Sequence, residues 1–156
     1  MAEALIALGS NVGEREAHLN FAVTALGAFG RVLAVSSYHE TEPVGYLEQG
    51  RFLNAALLLD TALAPQELMR ALLRLEAARG RERRIPNGPR TLDLDLLFYA
   101  DLVLDEPGLS IPHPRLHERL FVLAPLAEIA PEKVHPRLKR TVRELLEERK
   151  PGNCRS

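Results

Sequence analysis

The run Asn87-Gly88-Pro89-Arg90-Thr91-Leu92-Asp93-Leu94-Asp95-Leu96-Leu97-Phe98 joins a stiff Gly-Pro turn to an arginine and then to two aspartates alternating with leucines. In a strand, successive side chains point to opposite faces. Asp93 and Asp95 therefore share one face, and Leu92, Leu94 and Leu96 share the other. Two adjacent carboxylates on a rigid strand repel each other, and neither can enter an apolar core unpaired. A hard divalent cation such as Mg²⁺ resolves the conflict, because it takes oxygen ligands and usually brings substrate phosphates with it. The same alternation also describes an amphipathic edge strand whose polar face carries acids. The rest of the chain has to separate the two.

A chain of 156 residues with 46% hydrophobic and 26% charged residues is expected to form one domain, residues 1–156, with a tail frayed from about residue 150. A net charge of -1 speaks against a general nucleic-acid binder. One cysteine, Cys154, rules out a disulfide framework, a zinc set or a CxxC motif within this sequence, and its place in the tail reads as incidental. Met1-Ala2-Glu3-Ala4-Leu5-Ile6 runs straight into a strand pattern without a basic segment or a long apolar segment. No signal peptide and no membrane span are expected, and the location is expected to be cytoplasmic.

Periodicity supplies the order of elements. Ala4 to Leu8 is a buried strand ended by Gly9-Ser10-Asn11. Leu19, Ala22, Val23, Leu26 and Phe29 fall at helical spacing, with Gly27 and Gly30 at the helix end. Arg31 to Tyr38 reads as a second strand, a loop runs from Glu42 to about Gly50, and Phe52 to Leu59 is a third, central strand. Pro65 opens a helix with Leu68, Leu72, Leu75 and Ala78 as its core stripe and Gly80 as its stop. After the Asp-Leu-Asp strand, Leu102-Val103-Leu104 reads as a short partner strand turning at Asp105-Glu106-Pro107-Gly108. A helical turn reaches Phe121, and Thr141 to Lys150 is a last helix with Leu145 and Leu146 inward. Strand, helix, strand, strand, helix, strand is the split β-α-β order of an α+β ferredoxin-like sandwich: a mainly antiparallel sheet with helices packed on it. Many activities share that fold, so it leaves function open.

Three stretches carry chemistry. Arg79 to Arg90 packs five arginines among two glycines and two prolines, a cationic loop suited to closing over phosphate when it feeds directly into paired acids. A solvated basic loop without a partner has the same composition. In Phe52-Leu53-Asn54, the aromatic and the amide fall two apart on one strand face, so together they can stack on a flat heterocycle and hydrogen-bond its edge. Glu40 to Gly45 lies just upstream. Core packing is the plainer role for Phe52, whereas an amide in such an apolar run needs a partner. Prolines on both sides of His113 suit an imidazole presented to phosphate, or simply a surface turn. His18, His39, His117 and His135 show no metal-ligand spacing.

Taken together, Ala7-Leu8-Gly9-Ser10-Asn11, Thr41-Glu42-Pro43-Val44-Gly45, Phe52-Leu53-Asn54-Ala55-Ala56, Gly88 to Asp95, Ile111-Pro112-His113-Pro114 and Arg119 to Phe121 resemble the 6-hydroxymethyl-7,8-dihydropterin pyrophosphokinases of folate biosynthesis. The resemblance implies transfer of a pyrophosphoryl group from ATP to the hydroxymethyl oxygen of the reduced pterin, with release of AMP. It implies that Asp93 and Asp95 hold two Mg²⁺ ions, and that Thr41, Pro43, Val44, Phe52, Asn54 and Phe121 form the pterin pocket. It places Glu76, Arg81, Arg83, Arg90, Leu96, Ser110, His113 and Arg119 toward ATP, with Arg81, Arg83 and Arg90 beside the two aspartates in catalysis. Asn87, Gly108 and Pro114 depart from the tryptophan, arginine and tyrosine that some members carry there. The expected partners are the two small substrates, met by a monomer, with no nucleic acid and no membrane. The reading from another class is a ferredoxin-like nucleic-acid-binding module in which Phe52 and Phe121 stack bases.

Overall fold

Strand β1 (Ala2–Ser10) is paired on both flanks, antiparallel to β4 (Phe52–Thr61) on one side and to β5 (Asp93–Tyr99) on the other. This is a computed structural model, and it describes residues 1–41, 51–80 and 91–149. The remaining elements are α1 (Arg15–Leu26), β2 (Arg31–Val35), β3 (His39–Thr41), α2 (Pro65–Ala78), β6 (Leu104–Glu106), β7 (Leu109–Ile111), a 3₁₀ turn (Leu116–Glu118), α3 (Leu120–Ile129) and α4 (Val142–Arg149). The main sheet runs β2-β4-β1-β5, with β3 also pairing with β4. That order is the ferredoxin-like α+β arrangement expected from the sequence.

Both faces of the sheet are covered, which is why Ala4 to Leu8 is apolar without alternation. Ala4, Ile6, Leu8, Leu57, Leu59, Leu94 and Leu96 pack with Leu19 and Leu26 of α1 and Leu68 and Leu72 of α2. Leu5, Ala56, Leu97 and Phe98 pack on the other face with Val122, Leu123 and Leu126 of α3 and Val142 and Leu145 of α4. Leu97 makes this possible. Leu5 pairs with Phe98 and Ile6 with Leu96, so Leu97 is the extra residue of a bulge, and strict alternation in β5 ends there. Truncating Leu94, which is 1% exposed, to alanine is a cavity-forming change of about 3 kcal/mol.

Some sequence expectations shift. The strand expected over Arg31 to Tyr38 breaks at Ser36, whose hydroxyl accepts the Ala56 N–H at 2.9 Å and donates to Ser37 O at 2.8 Å. The sheet edge resumes as β3. Leu102-Val103-Leu104 does not pair with β5. The strand starts at Leu104 and pairs with β7 in a separate two-stranded sheet, leaving Leu102 and Val103 exposed. The turn tightens to Pro107-Gly108, with Gly108 at φ +81, the Pro-then-Gly order of a type II turn. Helix α3 runs through Pro125, well past the helical turn expected to end at Phe121. Its apolar face against β4 outweighs the one ladder bond that Pro125 cannot donate. At α2, Glu67 Oε1 accepts the Ala64 N–H at 2.8 Å and Pro65 occupies the first helical turn, as the sequence indicated.

Candidate active site

Register brings the predicted residues together. Directly opposite residues of antiparallel strands share a face. Gly9 pairs with Asn54 on β4 and with Asp93 on β5, and Ala7 pairs in the same way with Ala56 and Asp95. Thr41 pairs with Phe52, and His39 with Asn54. One face of the sheet thus carries, from edge to edge, Thr41 and Phe52, then Asn54, then bare Gly9, then the two acids. This is the face that α3 and α4 cover farther along the strands.

The amide end is built by hydrogen bonds. Asn54 Nδ2 donates to Thr41 Oγ1 at 2.6 Å, and Asn54 is only 8% exposed. Arg15 braces the neighbouring chain ends: its guanidinium donates to Arg51 O at 2.8 Å and pairs with Glu40 at 3.6 Å. Phe52 is half-buried. Phe121 starts α3 on the same side of the sheet, with the Arg119 guanidinium 5.8 Å from its ring centroid. A polar clasp ties α3 to β3. Glu128 accepts from Ser37 Oγ at 2.6 Å and from Ser37 N at 3.0 Å, and it also meets His39 Nε2. Those bonds, the Ser37 hydroxyl first, the Ser37 N–H next and His39 after it, bring the Glu128 carboxyl down to about 2.

The acid end sits on an anchored edge strand. Glu76 of α2, 3% exposed, accepts the Leu94 N–H at 2.7 Å, so a buried carboxylate holds β5 between Asp93 and Asp95. His113 N donates to Leu97 O at 2.9 Å, at the bulge, and His113 Nε2 comes to 4.0 Å from Asp95 Oδ1. Burial, then the Arg119 charge, lowers the His113 pKa to about 4. Asp93 acts against that shift and Arg115 adds to it. His113 is therefore neutral near pH 7, able to donate one hydrogen bond and accept another. Ser110 Oγ donates to Asp105 Oδ1 at 3.0 Å, and a cleft of about 300 Å³ opens among Ser110, His113, His117, His135 and Arg137.

Not every predicted residue joins this surface. Leu96 is 3% exposed in the opposite core, so only its backbone remains for a ligand. Pro43, Val44, Arg81, Arg83, Arg90 and Asn87 lie outside the described residues, as does Cys154. Arg79, read as part of the cationic loop, is docked on α1 instead. Its Nε donates to His18 Nδ1 at 3.0 Å and its guanidinium lies 4.6 Å from the Phe21 centroid. Gly9 as a site residue and the Ser37–His39–Glu128 clasp carry no local signal in the sequence. Only strand register reveals the first, and the clasp joins residues 89 or more positions apart.

Among the described residues no group of three or more His, Cys, Asp or Glu could hold a metal by itself. Two carboxylates on a half-exposed edge fit a hard cation that draws its other ligands from water and phosphate. Among the same residues no helix is long and apolar enough to cross a membrane.

A family model described as 7,8-dihydro-6-hydroxymethylpterin-pyrophosphokinase (HPPK) matches residues 5–131. The chain belongs to the HPPK family. An HPPK relative from Bacillus subtilis, named 2-amino-4-hydroxy-6-hydroxymethyldihydropteridine pyrophosphokinase, is 49% identical over 128 residues, covering 81% of this chain and 77% of its own. The Aquifex aeolicus protein of the same name is 39% identical over 153 residues, covering 98% of this chain and 93% of its own. A crystal structure of Plasmodium falciparum HPPK-DHPS wild type with pterin and p-hydroxybenzoate matches the fold with a TM-score of 0.76 at 17% identity. The match covers 94% of this chain and 43% of that longer one. HPPK membership does not favour the nucleic-acid-binding reading.

Proposed function

We propose that this chain transfers the pyrophosphoryl group of ATP to the hydroxymethyl oxygen of 6-hydroxymethyl-7,8-dihydropterin, giving AMP and the pterin diphosphate of folate biosynthesis. The carrying observation is the register that sets Asn54 and Asp93 on either side of Gly9 on one sheet face. An amide-and-aromatic platform and a pair of acids then lie about 10 Å apart, two strand spacings. A flat ring bearing a one-carbon alcohol reaches from one to the other. HPPK membership and the names of the relatives support the same reaction.

In this reading Phe52 and Phe121 hold the ring, and Asn54, oriented by Thr41, reads its edge beside Pro43 and Val44. Asp93 and Asp95 would hold two Mg²⁺ ions, which would offset the charge of the triphosphate and lower the pKa of the acceptor alcohol. His113 donates to a phosphate oxygen as a neutral imidazole. Arg119, set beside both His113 and the Phe121 ring, places one positive charge between nucleotide and acceptor. Arg81, Arg83 and Arg90 supply further charge to the transferring group, and Ser110 and the Leu96 backbone meet the nucleoside. Glu76 acts through β5, keeping the carboxylate-bearing strand in place. The protein works as a cytoplasmic monomer on small molecules.

Incubation with ATP, Mg²⁺ and the pterin alcohol tests the reading. AMP should appear only when all three are present, and ADP in place of AMP would contradict it.

A further inference from the structure

Gly9 is a glycine that its own backbone does not require. Its φ is not positive, unlike that of Gly13, Gly80 and Gly108, and it sits inside the central strand, where glycine weakens pairing and commonly marks a close approach by a ligand. A β-carbon built at Gly9 would stand 3.1 Å from Asn54 Oδ1 and 3.8 Å from Phe52 Cδ1. Asn54 Nδ2 is committed to Thr41, so its Oδ1 is turned toward the bare strand at Gly9. On the other flank Gly9 is the register partner of Asp93.

We propose that Gly9 is a specificity-determining position, the floor over which the acceptor's side arm crosses from the ring platform to the carboxylates. This rests on the transfer reading of the same site. A methyl group here would raise that floor and displace the Asn54 oxygen, so it would discriminate against the acceptor. It would leave the nucleotide's contact with His113 untouched, because His113 meets Asp95 and the Leu97 carbonyl and not Gly9.

The test compares Gly9→Ala with wild type in steady-state kinetics, varying the dihydropterin and ATP separately. The expected result is a rise of about tenfold or more in KM for the dihydropterin, the usual discrimination by one misplaced carbon, with KM for ATP within about twofold. An unchanged dihydropterin KM, or an equal rise for both substrates, would overturn the proposal. If Gly9→Ala fails to fold, the comparison moves to an Asn54→Ala background, which removes the crowded oxygen. There the double variant should still show the higher dihydropterin KM, and equality with the single variant would overturn the proposal. The two readings fail differently. A wild-type protein that makes no AMP defeats the transfer reading and the Gly9 inference with it. An active wild type matched by Gly9→Ala defeats the Gly9 inference alone.

Discussion

His113 Nε2 lies 4.0 Å from Asp95 Oδ1, and the two are held in place by one irregularity: the bulge at Leu97, whose carbonyl accepts the His113 N–H. The backbone bond survives replacement of the side chain. His113→Ala should therefore keep the wild-type melting temperature while kcat/KM for ATP falls by about tenfold or more, the worth of one hydrogen bond to a charged oxygen. A variant with unchanged ATP kinetics would remove His113 from the nucleotide site.

Glu76 accepts the Leu94 N–H and so anchors β5 between the two acids. Glu76→Ala would leave the Leu94 N–H buried without its acceptor and should cost about 2 kcal/mol in urea unfolding. Glu76→Gln retains an acceptor and should cost less. Equal losses for the two variants would show that the bond to Leu94 is not what Glu76 provides.

Thr41 orients the Asn54 amide through a 2.6 Å bond. Thr41→Val keeps the shape and removes the acceptor, so KM for the dihydropterin should rise by about tenfold with little change for ATP. Parallel changes for both substrates would point to general loosening of β3.

The clasp between α3 and β3 makes stability depend on pH in a defined direction. The Glu128 carboxyl, at about 2 in the fold against an ordinary 4.5, contributes fully above pH 4.5, and its contribution is lost as pH falls toward 2. His135 has the same sign from a higher starting point. Burial first, then the charges of His117 and Arg137, lowers its pKa below 6.5, so its contribution is present above pH 6.5 and lost as pH falls through the folded value. Wild type should lose about 1 kcal/mol relative to Glu128→Gln between pH 5 and pH 2.5, a figure kept small because the Glu128 side chain is 38% exposed and screened. Parallel pH profiles for the two proteins would contradict the clasp's role.

Local chemistry made much of this legible in the sequence. The Asp93-Leu94-Asp95 alternation placed its acids and leucines on opposite faces, and the spacing of Phe52 and Asn54 put both on one face, because a strand's period does not depend on its partners. What depends on distant partners was not legible. Glu128 shows no sign in sequence that it will meet Ser37, Pro125 obscured a helix that tertiary packing holds, and Gly9 gains its meaning only from Asn54 and Asp93 on two other strands.

One sheet face joins the Phe52 and Asn54 platform to the Asp93 and Asp95 carboxylates, and the proposed pyrophosphoryl transfer runs between them. Its most direct test is the stoichiometry of AMP to pterin diphosphate, measured for wild type with Mg²⁺, for wild type after chelation, and for a folded Asp95→Ala variant. One AMP per pterin diphosphate is expected in the first case and neither product in the other two. AMP release without the acceptor, or undiminished transfer by Asp95→Ala, would contradict that expectation.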